Sequence, residues 1–157
     1  MAAALLTLTT LSILGLAASL ALAFTAQVSA DIARHALIAV FATLLNLLAH
    51  SLMMFYLLGK GRAVRDAITE HALQGDYMSR VKTLRGPVFS RATSAMALTM
   101  VTAIVGASVD VGVLPSWPHE ALAIGAVAVN VVALWTEIVA LRGTSRIVDE
   151  VNARLGA

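Results

Sequence analysis

The 157-residue sequence contains no cysteine, only three prolines and few charged side chains. Without cysteine, the chain cannot form disulfides, bind a metal through thiolates or use a cysteine nucleophile. Charged residues make up 13% of the chain and hydrophobic residues 59%. Typical soluble domains contain about 25% charged and about 45–50% apolar residues. Because long apolar runs carry the excess, the composition predicts an all-α integral membrane protein.

Four apolar segments are long enough to cross a hydrocarbon layer of about 30 Å. We predict transmembrane helices at about residues 3–26, 31–59, 88–111 and 119–141, within a single domain of residues 1–157. Two amphipathic pieces, about 60–85 and 144–156, are predicted on the cytoplasmic side. We expect the second helix to continue out of the membrane to about Leu73, a break near 74–76, and new helix starts at Gly86-Pro87 and at Thr144 or Ser145.

The first segment also has some features of a signal peptide. Val28-Ser29-Ala30 resembles a small-residue cleavage site. No Lys or Arg precedes this segment, however, and its apolar region is longer than that of a typical signal peptide. We therefore expect it to be retained as a membrane helix.

Positive charges are distributed unevenly between the two predicted sides. Ten of the eleven Lys and Arg residues lie between Lys60 and Arg91 or from Arg142 onward, and Arg34 is the exception. Connections rich in Lys and Arg stay in the cytoplasm. We therefore expect both termini on the cytoplasmic side of the plasma (inner) membrane of a bacterial-type cell. The basic face is expected to contact anionic lipid headgroups, and no nucleic-acid partner is expected.

Much of the second segment recurs 84 positions later in the fourth segment. Residues 31–62 align with residues 115–146 without a gap, which pairs His35 with His119 and Asn46 with Asn130. These matches are informative because the chain contains only four His residues. The alignment predicts a four-helix bundle made of two tandem helical hairpins, related by a pseudo-twofold axis along the membrane normal. Equivalent residues are then expected to face each other at equal depth.

Small and polar residues form one stripe on each of these two segments, whereas the flanking residues are bulky and apolar. The stripes are expected to face inward, because polar groups are costly in lipid. They predict three polar layers from the outer boundary inward: His35 with His119, Asn46 with Asn130, and His50 with Glu137. We expect a structural hydrogen bond between the Asn residues. The deepest pair is either a proton-carrying site or a fastening between the two segments.

Three functions fit this pattern. In the first, His35 and His119 are the axial ligands of a b-type haem, Arg34 contacts a propionate, and the protein is a small redox subunit of a membrane complex. In the second, the protein is a structural scaffold that docks other membrane subunits or a second copy of itself through small-residue faces. In the third, it conducts protons or ions along the three polar layers.

A zinc or copper site is a further alternative. It would combine the two His residues with a carboxylate such as Asp31, Asp110 or Glu120. The sequence contains no nucleotide-binding loop, hydrolase triad or zinc-protease motif. We therefore assign no catalytic residues and do not expect a stand-alone enzyme.

Overall fold

The computed structural model describes residues 1–25 and 29–156, and its regular elements there are all α-helices. They are α1 (Ala2–Thr25), α2 (Ser29–Glu70), α3 (Tyr77–Asp110) and α4 (Ser116–Leu155). Each helix is long and apolar enough to cross a membrane, so the predicted all-α membrane class is confirmed. Two predictions concern residues outside the described ranges. They are the end of the first segment at Ala26 and the start of the cleavage-like sequence at Val28.

The four helices form a bundle in which α2 and α4 meet across the centre. Packing is most extensive within each predicted hairpin, α1 with α2 and α3 with α4. Small residues permit this close approach, since a Cβ at Gly15 of α1 would lie 3.0 Å from the Cβ of Ala42 in α2. In the described part of the chain, α1 and α3 do not contact each other, and they lie on opposite sides of the α2–α4 pair. The twofold relation between the hairpins stays a prediction.

The outer surface of the bundle is rich in large apolar side chains. Leu37, Phe41, Leu44 and Phe55 on α2 are each more than half exposed, and so is Trp135 on α4. In water such a surface would be unfavourable, whereas in a bilayer it is the surface that acyl chains contact. The polar stripes of α2 and α4 face inward, as predicted: they are fully buried around Asn46, His50, Asn130 and Glu137 and half-buried at His35 and His119.

Both predicted new helix starts are wrong. Helix α3 continues through Gly86 and Pro87, and α4 continues through Gly143 and Thr144. A membrane helix tolerates proline because its surroundings compensate for the lost hydrogen bond. Gly143 lies against Leu84, where a Cβ would be 2.6 Å from Leu84 Cδ1. The stretch 77–85 and the tail after Gly143 are therefore parts of α3 and α4 rather than separate surface helices, whereas α2 continues past Lys60, as predicted, and ends at Glu70.

The extensions of α2, α3 and α4 have an apolar core of their own. Its buried members come from all three helices: Val64, Tyr77, Val81, Ile147 and Val151. Arg80 on α3 donates two hydrogen bonds to Glu150 on α4, at 2.5 and 2.8 Å. The predicted break is also present, since α2 ends at Glu70 and α3 begins at Tyr77.

A second apolar cluster, here called the apolar layer, lies between these extensions and the middle of the bundle. It contains Met53, Leu57, Val88, Ala140 and Leu141. Ala2, Leu5 and Leu6 from the first turns of α1 pack against it. The start of α1 is therefore at the same end of the bundle as the basic residues, which we call the basic end. His35 and His119 are at the other end.

Candidate functional site

His35 on α2 and His119 on α4 face each other near the end of the bundle opposite the basic end. The centres of their imidazole rings are 6.0 Å apart, and the ring planes are inclined by 79°. The sequence alignment predicted that these two residues meet, and the structure confirms it.

Each imidazole is held by the main chain of a neighbouring helix. His35 Nδ1 lies 2.8 Å from the carbonyl oxygen of Ser19, and His119 Nδ1 lies 3.1 Å from that of Thr102. Because a carbonyl oxygen only accepts, each Nδ1 carries the hydrogen, and Nε2 of the neutral ring has a free lone pair. Among the described residues, no hydrogen-bond partner reaches either Nε2. A histidine that binds a metal through one nitrogen commonly donates from the other in this way.

Gly106 on α3 makes room for the ring of His119. A Cβ at this position would lie 2.7 Å from His119 Cε1 and 3.0 Å from Nδ1. A larger side chain would therefore push the imidazole away from the carbonyl of Thr102. The sequence analysis did not identify Gly106. The sequence did contain an indication of its role, because Gly106 is an isolated glycine within a predicted helix. Such a glycine costs about 1 kcal/mol relative to alanine and often marks a close approach between two helices.

Two cavities adjoin the His pair. The first, of about 50 Å³, is lined by residues of all four helices and extends inward to Thr43 and Thr99. The second, of about 120 Å³, opens between α2 and α3 beside Ala36 and Gly106. Small side chains form much of both walls, so the space between the rings can be extended on two sides without removing a bulky residue.

The other residues predicted at this site occupy different places. Arg34 is exposed at the start of α2, 4.0 Å from Asp31, and it lines neither cavity. Glu120 lines the first cavity and Asp110 lines the second. Within residues 1–25 and 29–156, no three His, Asp or Glu side chains form a group that could hold a metal ion. The zinc or copper alternative therefore has no third ligand there.

The second polar layer is a hydrogen-bonded pair of buried amides. Asn46 Nδ2 donates to Asn130 Oδ1 at 2.6 Å, as predicted. Asn130 Nδ2 in turn donates to Thr99 Oγ1 at 3.0 Å and to the carbonyl oxygen of Ala126 at 2.8 Å. The carbonyl of Ala126 can only accept, so the orientation of the Asn130 amide is fixed, with Oδ1 facing donors.

The third layer is the buried pair of His50 and Glu137. His50 Nε2 lies 2.9 Å from Asn130 Oδ1, and His50 Nδ1 lies 2.6 Å from Glu137 Oε1. Both side chains are 0% exposed. Two buried oxygens, Glu137 Oε2 and Asn46 Oδ1, have no hydrogen-bond partner in the described part of the chain. The predicted pairing is confirmed, and it belongs to one network with the Asn layer.

Comparison with known proteins adds no further information about this network or the His pair. No protein-family model, curated protein or solved structure matches the chain. A functional proposal therefore rests on the geometry of the polar layers.

Proposed function

We propose that the protein is a small membrane redox subunit that binds a b-type haem between His35 and His119. The observation that carries this proposal is the pair of facing imidazoles, each tied to the main chain through Nδ1. A metal about 2.0–2.1 Å from one nitrogen of each ring, on the line between them, places the two ring centres about 6.4 Å apart. The observed separation is 6.0 Å. This separation supports a single iron that both imidazoles would hold.

The surroundings of the pair suit a flat macrocycle. A ring held between the two imidazoles would extend toward α1 and toward α3, which lie on opposite sides of the α2–α4 pair. The two cavities lie in these directions, and their walls include Ala36, Ala39, Ala103 and Gly106. A porphyrin is larger than both cavities together, so its binding requires α2 and α3 to separate further beside the second cavity.

In this proposal, the chain orients the cofactor and the cofactor supplies one-electron chemistry. The carbonyls of Ser19 and Thr102 fix which nitrogen of each His residue faces the iron. Gly106 allows His119 to approach. The apolar side chains around the pair limit the access of water, which is one of the factors that set a haem potential.

We further propose that the basic end faces the cytoplasm, so that both termini are cytoplasmic and the haem lies near the outer face of a plasma (inner) membrane. The support is the collection of positive charges at one end of the bundle. Between α2 and α3 these charges line a groove, here called the basic groove, formed by Leu58, Gly59, Gly61, Arg62, Arg65, Met78, Lys82 and Arg85. Such a groove suits the phosphate of an anionic lipid. An electron donor and an acceptor, in other membrane subunits or in solution, complete the proposed function.

The visible spectrum of the purified protein, produced with a sufficient haem supply, tests the proposal. We expect a Soret band that His35→Ala and His119→Ala each abolish. His71→Ala is the matched control, because His71 is exposed in the turn after α2, and it should keep the band. If the wild-type protein gives no Soret band of bound haem when it is titrated with haem, the result would favour the structural scaffold instead.

A further inference from the structure

The His50–Glu137 pair has no part in the proposed electron transfer. His50 follows His35 by fifteen residues on the same helix, which corresponds to about 22 Å at about 1.5 Å per residue. No group held between His35 and His119 can contact it at that distance. A carboxyl group and an imidazole buried in the middle of a membrane bundle are costly and usually functional, so this pair calls for an explanation of its own.

The hydrogen bonds around His50 limit where its protons can be. Asn130 Oδ1 accepts only, so His50 Nε2 carries a hydrogen. One further proton lies between His50 Nδ1 and Glu137 Oε1, which are 2.6 Å apart. If it is on the oxygen, both groups are neutral; if it is on the nitrogen, they form an ion pair. The net charge is zero in both arrangements, which is why the pair is tolerated without solvent.

No other titratable side chain contacts the pair in the described part of the chain. From α1, the network receives the hydroxyl of Ser12, which accepts from Asn46 Nδ2 at 3.4 Å. From α3, it receives the hydroxyl of Thr99. Arg91, also on α3, donates to Thr136, the residue before Glu137 in α4, and its side chain is otherwise exposed. A proton added to the pair therefore has Glu137 and His50 as its acceptors.

The two sides of the pair differ in polarity. Toward the basic end lies the apolar layer, whose five buried side chains carry no N–H or O–H group. Toward the His35/His119 end lies the Asn46–Asn130 bond, and beyond it Thr99, which also lines the 50 Å³ cavity. Glu137 Oε2 and Asn46 Oδ1 are buried acceptors with free lone pairs. Hydrogen-bond acceptors therefore lie on the His35/His119 side of the pair, and apolar side chains lie on its other side.

We propose that His50 and Glu137 form a proton-binding site that exchanges protons with the His35/His119 end of the bundle and is closed toward the basic end by the apolar layer. An arriving proton binds Glu137 Oε2 of the ion pair, which leaves an imidazolium beside a neutral carboxyl group. Release of that proton restores the ion pair. Because an amide does not relay protons, each exchange requires the Asn46–Asn130 bond to open transiently.

Infrared difference spectroscopy of the purified, haem-free protein tests the site itself. When the pH is lowered, the exposed carboxyl groups give the carbonyl stretch of hydrogen-bonded groups, and we expect a separate stretch at higher frequency from a buried carboxyl group, which Glu137→Gln should remove. Glu70→Gln is the control, since Glu70 is exposed at the end of α2, and it should leave the signal unchanged. A signal that is independent of pH, or that persists in Glu137→Gln, would overturn the proposal.

Proton leakage across liposomes tests the direction of access. The wild-type protein should leak at the background rate, because the apolar layer is intact. The double variant Met53→Ser, Leu57→Ser should leak severalfold faster, and adding Glu137→Gln should return the rate to background. A leak that persists in this triple variant comes from damaged packing and contradicts the proposed route, as does a double variant that does not leak. Neither assay involves haem, so failure here leaves the Soret test of the redox function intact.

Discussion

Asn46 and Asn130, which are 84 positions apart and equivalent in the predicted repeat, are joined by a hydrogen bond of 2.6 Å in the centre of the bundle. The bond connects the two hairpins at the depth where both side chains are fully buried. Asn130 makes three further contacts, with His50, Thr99 and the main chain of Ala126. Asn46 makes one, a long bond of 3.4 Å to Ser12. The network is therefore centred on Asn130.

Substitution of the two Asn residues should consequently have unequal effects on stability. Asn46→Ala loses a bond worth about 0.6–2 kcal/mol in a membrane protein. Asn130→Ala should cost about 2–3 kcal/mol, because it also leaves His50 Nε2 without a partner and removes the bond to Thr99. Unfolding of the two variants in mixed micelles measures the difference. An equal or larger loss for Asn46→Ala would show that the network is not centred on Asn130.

Gly106 should be required for the position of His119. In Gly106→Ala the new Cβ collides with the imidazole, so His119 must move and its bond to Thr102 is weakened. We expect haem affinity to fall at least about tenfold, a loss of about 1.4 kcal/mol, while the helical content is unchanged. Gly59→Ala is the matched control, since a Cβ there meets no atom within 4 Å. Equal haem affinity in both variants would contradict this role.

The pairing of residues across the bundle was predictable from sequence because His and Asn are rare in an apolar chain. Two coincidences of rare residues at one fixed offset constrain the register of α2 against α4. The partner of Glu137 was also predictable, because an acidic group at that depth needs a donor and His50 was the best candidate. These are long-range contacts, and they follow from the sequence without any structural information.

The anchoring of the His rings was not predictable. The carbonyl groups that hold them belong to Ser19 and Thr102, and every residue of a helix offers the same main-chain acceptor. The course of the long helices was predicted wrongly at Pro87 and Gly143 for a related reason. Local preference indicated new helix starts, whereas packing between Leu84 and Gly143 favours continuous helices. Tertiary contacts of this kind leave no periodic signal in the sequence.

The ion pair between Arg80 and Glu150 should make the extensions of α3 and α4 sensitive to acid. The hydrogen bonds from Arg80 lower the pKa of Glu150 below its ordinary value of 4.5. Since the pKa is lower in the folded state, the pair stabilises the folded extensions above about pH 4.5, and this contribution disappears as the pH falls through the lowered pKa. Both side chains are largely solvated, so we expect a small effect.

Limited proteolysis in the turn between α2 and α3, followed as a function of pH, measures this effect. Cleavage of the wild-type protein should increase at acid pH, whereas Glu150→Gln should be cleaved faster than wild type at neutral pH and show a weaker dependence on acid. Asp149→Asn is the control, because Asp149 is exposed beside Glu150 and should behave like wild type. If Asp149→Asn and Glu150→Gln gave the same profile, the pair with Arg80 would not be the cause.

The basic groove should retain an anionic lipid when the protein is extracted from the membrane. Arg62 and Lys82 line it from α2 and α3, respectively, together with the apolar side chains of Leu58 and Met78. This arrangement offers cations to a phosphate and a hydrocarbon surface to an acyl chain, at the depth where the membrane helices pass into the extensions.

Native mass spectrometry after extraction from vesicles that contain phosphatidylglycerol and phosphatidylcholine should show bound phosphatidylglycerol. The double variant Arg62→Gln, Lys82→Gln should lose most of it, whereas Arg154→Gln, which removes an exposed charge near the end of α4, should keep it. Equal loss in both would mean that overall charge, rather than the groove, attracts the lipid.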